Sequence, residues 1–183
     1  MTAQLQSRFH ARLDEIDAAA WDALRPDDNP FVSHAFLSGL EQHGCLDPNH
    51  GWLPHHLGVY SGSTLVAAAP LYIKLNSHGE YVFDWSWASA YARHGLDYYP
   101  KLLCAVPYSP VTGPRLLVGD GGDAMRTLLL DLIRAQAARN GWSSAHVNFT
   151  VPADAAVLEQ PAWLARFDWQ FHWRNAEIGR AHV

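Results

Sequence analysis

Glu80 and Asp84 are the carboxylates of this 183-residue chain whose setting best suits proton chemistry. They stand four residues apart in His78-Gly79-Glu80-Tyr81-Val82-Phe83-Asp84-Trp85-Ser86-Trp87. A carboxylate in a cleft can take a proton from a bound group. On a regular strand the two would share one face with Val82, and a carboxylate on a partly apolar face needs a partner. Lys101 and Arg115 are the available partners, so two readings stand: a catalytic pair, or an ordinary ion pair that closes the fold. Tyr72, Trp85, Tyr99, Lys101 and Arg115 suit recognition of a sugar or a peptide carboxylate, since a guanidinium fork matches a carboxylate and rings offer stacking faces. Rings, single charges and prolines from His78 to Arg115 together read as one wall of a binding cleft. Tyr and Trp also fill cores when their polar tips find partners.

The elements around these residues follow from periodicity. Leu5 to Arg12 alternates as a strand, and Leu13, Ile16, Ala20, Trp21 and Leu24 recur at helical spacing behind Asp14 as N-cap. Phe31, Ala35, Leu37 and Leu40 predict a second helix ended by His43-Gly44. Pro54 to Tyr60 and Thr64 to Ile73, joined by Ser61-Gly62-Ser63, predict a hairpin, and Glu80 to Trp85 a third antiparallel strand. A short helix is expected over Ser89 to His94, with extended pieces at Leu102 to Val106 and Arg115 to Val118. The clearest helix, Asp123 to Asn140, should pack through Met125, Leu129, Leu132 and Ile133. A strand over Ala145 to Phe149, a helix over Pro152 to Gln160 and a strand over Phe167 to Trp173 close the chain. The expected class is α/β (α+β): a mixed, mostly antiparallel sheet flanked by helices, in the order β-α-α-β-β-β-α-β-α-β.

Composition narrows the function classes. With 49% apolar and 17% charged residues the chain is an ordinary globular domain. Formal net charge is −5 with scattered basic residues, and Lys74 and Lys101 are the only lysines, so no positive stripe for autonomous nucleic-acid binding exists. No apolar run has membrane-spanning length and no basic-then-apolar leader opens the chain, which predicts a cytoplasmic protein with no membrane partner. The two cysteines, Cys45 and Cys104, read as buried thiols, and the eleven histidines lack metal-ligand spacing, so no metal site is expected. Neither a GxSxG elbow, a Walker loop nor a Rossmann fingerprint occurs.

Five runs in order are similar to one family: Asn29-Pro30-Phe31-Val32-Ser33-His34, Ala67-Ala68-Ala69-Pro70-Leu71-Tyr72, Gly79-Glu80-Tyr81-Val82-Phe83-Asp84-Trp85, Tyr99-Pro100-Lys101-Leu102 and Pro110-Val111-Thr112-Gly113. With the closing Gln170-Phe171-His172-Trp173-Arg174-Asn175 they resemble the FemAB-like N-acyltransferases of the GNAT superfamily, associated with peptidoglycan biosynthesis and recognition. The resemblance implies transfer of an acyl or aminoacyl group to the amine of a small molecule or peptide, from acyl-CoA or aminoacyl-tRNA. It makes Glu80 and Asp84 the candidate bases for that acylation. It also implies a donor pyrophosphate held at a helix N-terminus, which here is Val118-Gly119-Asp120-Gly121-Gly122-Asp123, with Gly119, Gly121 and Gly122 permitting close backbone approach. The same loop also suits a plain connection with an Asp cap, since Asp120 and Asp123 oppose an anion. Family members have two GNAT-like halves. Residues 1–175 are therefore expected to be an N-terminal half, inactive without its C-terminal partner, and residues 176–183 a non-native tail of a truncated gene. The alternative is a non-catalytic module that recognises a cell-wall precursor or a partner protein.

Overall fold

The computed structural model describes residues 4–172. Strand β1 (Leu5–His10) leads through helices α1 (Ala18–Asp22) and α2 (His34–Gln42) to strands β2 (Trp52–Pro54), β3 (His56–Ser61), β4 (Thr64–Ala69) and β5 (Leu71–Lys74). Helix α3 (Trp85–Arg93), strand β6 (Lys101–Cys104), helix α4 (Gly122–Arg139), strand β7 (Ala145–Val147) and helix α5 (Pro152–Leu158) follow. The strands form two sheets, β1-β3-β4 and β2-β5-β6-β7, antiparallel everywhere except between β6 and β7. This is the mixed, mostly antiparallel, helix-flanked architecture expected from the sequence.

Local chemistry sets the boundaries. Gly62, at φ 64°, makes the turn between β3 and β4 without the Cβ penalty another residue would meet. Pro70 has no N–H to give a ladder, so the expected single strand from Thr64 to Ile73 divides into β4 and β5 and passes from one sheet to the other. His55 N–H donates to Leu71 O at 2.8 Å across that junction, and Ala68 and Leu117 exchange backbone bonds of 2.8 and 2.9 Å. The Asp14 helix forms as a 3₁₀ turn, Leu13–Glu15, before α1, and its cap is Asp17, which accepts from Ala20 N–H at 2.8 Å; Asp14 pairs with Arg12 instead. Ser33 caps α2 by accepting from Phe36 N–H at 3.2 Å.

Two strands expected from alternation are absent among the described residues. Over Glu80–Trp85 the backbone turns left-handed at Tyr81 (φ 61°) and Phe83 (φ 48°), conformations no ladder accepts, and β5 pairs with β6 instead. Residues 167–172 join no strand ladder, and Phe167, Trp169 and Phe171 are exposed; Trp173 lies outside the described residues. The short helix expected over Ser89 to His94 begins earlier, at Trp85.

The sheets lie between two apolar layers. On one face Leu57, Val59, Ala67 and Leu102 pack with Leu129, Leu130, Ile133 and Ala137 of α4. On the other, Leu65, Ala68 and Leu117 meet Leu13, Trp21, Val32 and Leu37 from the α1–α2 region. Met125 and Leu132, expected within the α4 contact, flank it half-buried. Among the described residues no helix is long and apolar enough to cross a membrane. Leu129→Ala should cost about 2–5 kcal/mol of stability. Leu132→Ala should cost less, and urea denaturation of both variants checks the ranking; equal losses would mean that the helix is seated differently.

Candidate functional site

Both lysines of the chain end inside the protein, on neighbouring strands, and Lys74 and Lys101 are register partners in the β5–β6 ladder. A buried ammonium needs a counter-charge, and the loop between the strands supplies two. Glu80 approaches Lys101 Nζ at 2.8 Å, and Asp84 pairs with the same nitrogen while accepting from Tyr98 Oη–H at 2.8 Å. Lys101 also lies 5.0 and 5.5 Å from the ring centroids of Tyr98 and Tyr99. Lys74 sits 3.8 Å over the Trp52 ring and donates to His78 O at 3.0 Å. That same carbonyl accepts from Trp52 Nε1–H at 3.1 Å. Gly79 is obligatory beside it: its φ is 79°, and a Cβ there would meet the Tyr108 ring at 2.5 Å.

Glu80, Asp84, Lys74 and Lys101 are each no more than 2% exposed, so this is a closed charge cluster. Burial pushes the Glu80 carboxyl up and the Lys74 ammonium down to about 7, while the Lys101 bonds help to hold Asp84 low against burial's upward push. The geometry fits the ion-pair reading of Glu80 and Asp84, since neither reaches solvent. The left-handed turns at Tyr81 and Phe83 put rings outward and carboxylates inward.

The other candidate residues separate. Tyr99 joins the cluster, whereas Trp85 lies outside it, 64% exposed, with its Nε1–H on Ser77 Oγ at 2.9 Å. Tyr72 faces the interior, between the Trp52 and His56 rings at 5.3 and 5.2 Å. Arg115 is equally internal, donating to Asn148 O at 2.9 Å, Pro114 O at 3.2 Å and Val111 O. Tyr72 and Arg115 thus offer no surface to a ligand. Their ring and fork are used inside the fold.

The glycine loop lies on another flank. Gly119–Gly121 forms a 3₁₀ turn into α4, with Gly119 and Gly122 at φ 49° and 63°. Gly119 N–H donates to Leu24 O at 3.1 Å and Gly121 N–H to Val118 O at 2.8 Å, so two of the loop's donors are taken internally. Asp123 does not cap the helix; it accepts from Arg126 at 2.9 Å. Arg126 also lies 3.4 Å from Asp154, which accepts the N–H groups of Arg115 and Leu116 at 2.7 and 3.3 Å. A groove of about 190 Å³ opens here, and Arg126 is the one cation among its lining residues. The sequence reading passed over Arg126 and Asp154; the three-residue spacing of Asp123 and Arg126 was the available signal. It also passed over Lys74 and Tyr98 as cluster members, although a chain with two lysines invites asking where both go.

The cluster makes definite predictions. Lys101→Met strands two buried carboxylates and should cost about 3–5 kcal/mol. Asp84 is held below its usual 3.8, so its contribution is present above that pH and is lost as pH falls through its folded value. Lys74 gives a slope of the same sign in a higher window: the folded chain gives up this proton near pH 7 and the unfolded chain near 10.5, so stability rises with pH between them. Lys74→Met should abolish the rise. Denaturant titrations through the window measure both proteins, and an unchanged slope would refute the assignment.

The FemAB-like family, described as peptidoglycan biosynthesis/recognition, matches residues 12–181. No curated protein matches the chain. Among solved structures it is similar to a ribosomal-protein-alanine N-acetyltransferase from Brucella melitensis biovar Abortus 2308, with a TM-score of 0.50 and 16% identity, over 93% of this chain and 98% of that one. At that identity the likeness concerns the fold, and it is GNAT-like. With the family match spanning most of its length, the chain belongs to the FemAB-like family.

Proposed function

We propose that this chain is a FemAB-like N-acyltransferase domain that moves an acyl or aminoacyl group from acyl-CoA or aminoacyl-tRNA to the amine of a small molecule or peptide. Family membership is the observation that carries the reading. The groove at the start of α4 supports it as the donor side. Its glycine turn keeps side chains away from an approaching phosphate, the helix N-terminus favours an anion, and Arg126 adds a cation. Asp123 and Asp154 hold Arg126 and oppose an anion, so binding there requires the guanidinium to redirect its bonds. Those residues fit a donor phosphate in part; the donor itself supplies the activated carbonyl.

A second GNAT-like half completing the acceptor cleft belongs to this proposal, with little turnover by the domain alone. The internal positions of Glu80, Asp84, Tyr72 and Arg115 support it, because they leave the acceptor to be met by other groups. The second reading, a non-catalytic binding module, is favoured by one observation: helix α3 buries no residue and presents Trp85 and Trp87 at 64% and 42% exposure, beside Phe83 at 64%. Exposed apolar patches of this kind mark interaction sites.

Calorimetry separates the two. Acetyl-CoA or an aminoacyl-tRNA should bind, and Arg126→Ala should weaken that binding roughly tenfold or more, the usual scale for a lost charge-assisted hydrogen bond. Heat with neither donor removes the transferase reading. Binding that is indifferent to Arg126 removes the α4 groove from it.

A further inference from the structure

A second groove, of about 370 Å³, lies away from both the charge cluster and the glycine loop. It falls within the volume range of small-ligand sites. Ala11, Leu46 and Pro54 line it together with Arg12, Asp14 and, from α2, Glu41. Glu41 is fixed from two sides. Oε2 accepts from Leu13 N–H at 2.9 Å, and Oε1 accepts from His56 Nε2 at 2.7 Å. A carboxylate only accepts, so the proton in the second bond belongs to His56 Nε2. His56 is fully buried behind Glu41, and its Nδ1 has no protein partner. Tyr72, whose ring packs edge-on to His56, likewise has a buried hydroxyl with no protein partner.

An orphaned buried polar atom costs about 1–3 kcal/mol, and native folds hold few of them. Two of them, His56 Nδ1 and Tyr72 Oη, lie on adjacent buried rings behind the carboxylate that lines the groove. The charge of the groove says which kind of ligand suits it. Arg12 and Asp14 pair with each other, which leaves the Glu41 carboxylate without a cation among the lining residues. With one bond on each oxygen, Glu41 retains lone pairs for a further donor. Ala11, Leu46 and Pro54 beside the Glu41 carboxylate suit an ammonium carried on a short aliphatic stem.

We infer that the groove over the Glu41–His56 pair binds a primary alkylammonium group, held by Glu41, with His56 as the residue that positions the carboxylate. This deepens the proposed function, on which it rests for its meaning: the groove would seat the acceptor amine. Neither Glu41 nor His56 is among the carboxylates and rings that the sequence pointed to.

The test uses two-dimensional amide NMR of the full chain with n-butylamine as the probe and n-butanol as its uncharged counterpart. Butylamine should shift the signals of Arg12, Ser38, Glu41, Gln42 and Leu46 in a saturable way, and butanol should not. Glu41→Gln should weaken butylamine binding at least tenfold. His56→Phe should weaken it to a similar extent, whereas His56→Gln, which keeps a donor towards Glu41, should recover most of the affinity; spectral dispersion reports whether each variant is folded. Shifts that fall elsewhere, no saturable shift, equal effects of butanol, or a folded Glu41→Gln variant that binds as tightly as the parent would each overturn the inference. Should His56→Phe fail to fold, the Glu41→Gln and butanol comparisons still decide. Amine binding here with no calorimetric binding of either donor would remove the proposed reaction and leave the groove. Donor binding with a silent groove would do the reverse.

Discussion

Lys101 carries the greatest constraint in this molecule. It is fully buried on β6, and an ammonium there is tolerable only with counter-charge at contact distance. The loop from Leu75 to Pro100 meets that demand. Glu80 and Asp84 must both turn inward, and the residue between each of them and Val82 must therefore turn outward. Left-handed backbone at Tyr81 and Phe83 achieves this at a conformational cost that the ion pairs offset. The exposed rings and the placement of α3 follow from it. Lys74, one strand away, adds a second cation, so the four side chains balance in formal charge only as a set.

That set also fixes what the interior holds. The ends of the two inner strands of the β2-β5-β6-β7 sheet are committed to holding the loop, and the internal fork of Arg115 is committed to the carbonyls of Val111, Pro114 and Asn148. Two grooves of different lining lie elsewhere. One has Gly119 and Arg126 beside Asp27 and Asp154, and the other has the Glu41 carboxylate beside Ala11, Leu46 and Pro54. The proposed transfer, from an anionic donor to an amine acceptor, would use both.

Glycine and proline do the positional work that periodicity leaves undone. Pro70 ends one sheet and begins the next, so that a single apolar run serves two ladders. Gly79 lets the backbone pass beneath Tyr108 and present His78 O to both Lys74 and Trp52. Neither consequence follows from residue type without its three-dimensional neighbours.

The sequence by itself determined the class of the fold, the hairpin at Ser61-Gly62-Ser63, the long α4 helix and the family, because these rest on short-range periodicity, turn chemistry and ordered motifs. It also offered Lys101 or Arg115 as the partner of Glu80 and Asp84, and the folded chain uses Lys101. Alternation misled over Glu80 to Trp85, where the pattern of charges and rings matches a strand but the burial is inverted: the charges go in. Only tertiary structure decided that, because the sign of burial depends on a lysine seventeen residues away from Asp84. The same holds for Tyr72 and Arg115, whose polar groups suit a ligand equally well in sequence and are turned inward by their strands. It holds most plainly for Glu41 and His56, which are fifteen residues apart and unremarkable in composition. Helix packing against the sheet brings them into contact, and no local pattern encodes that contact.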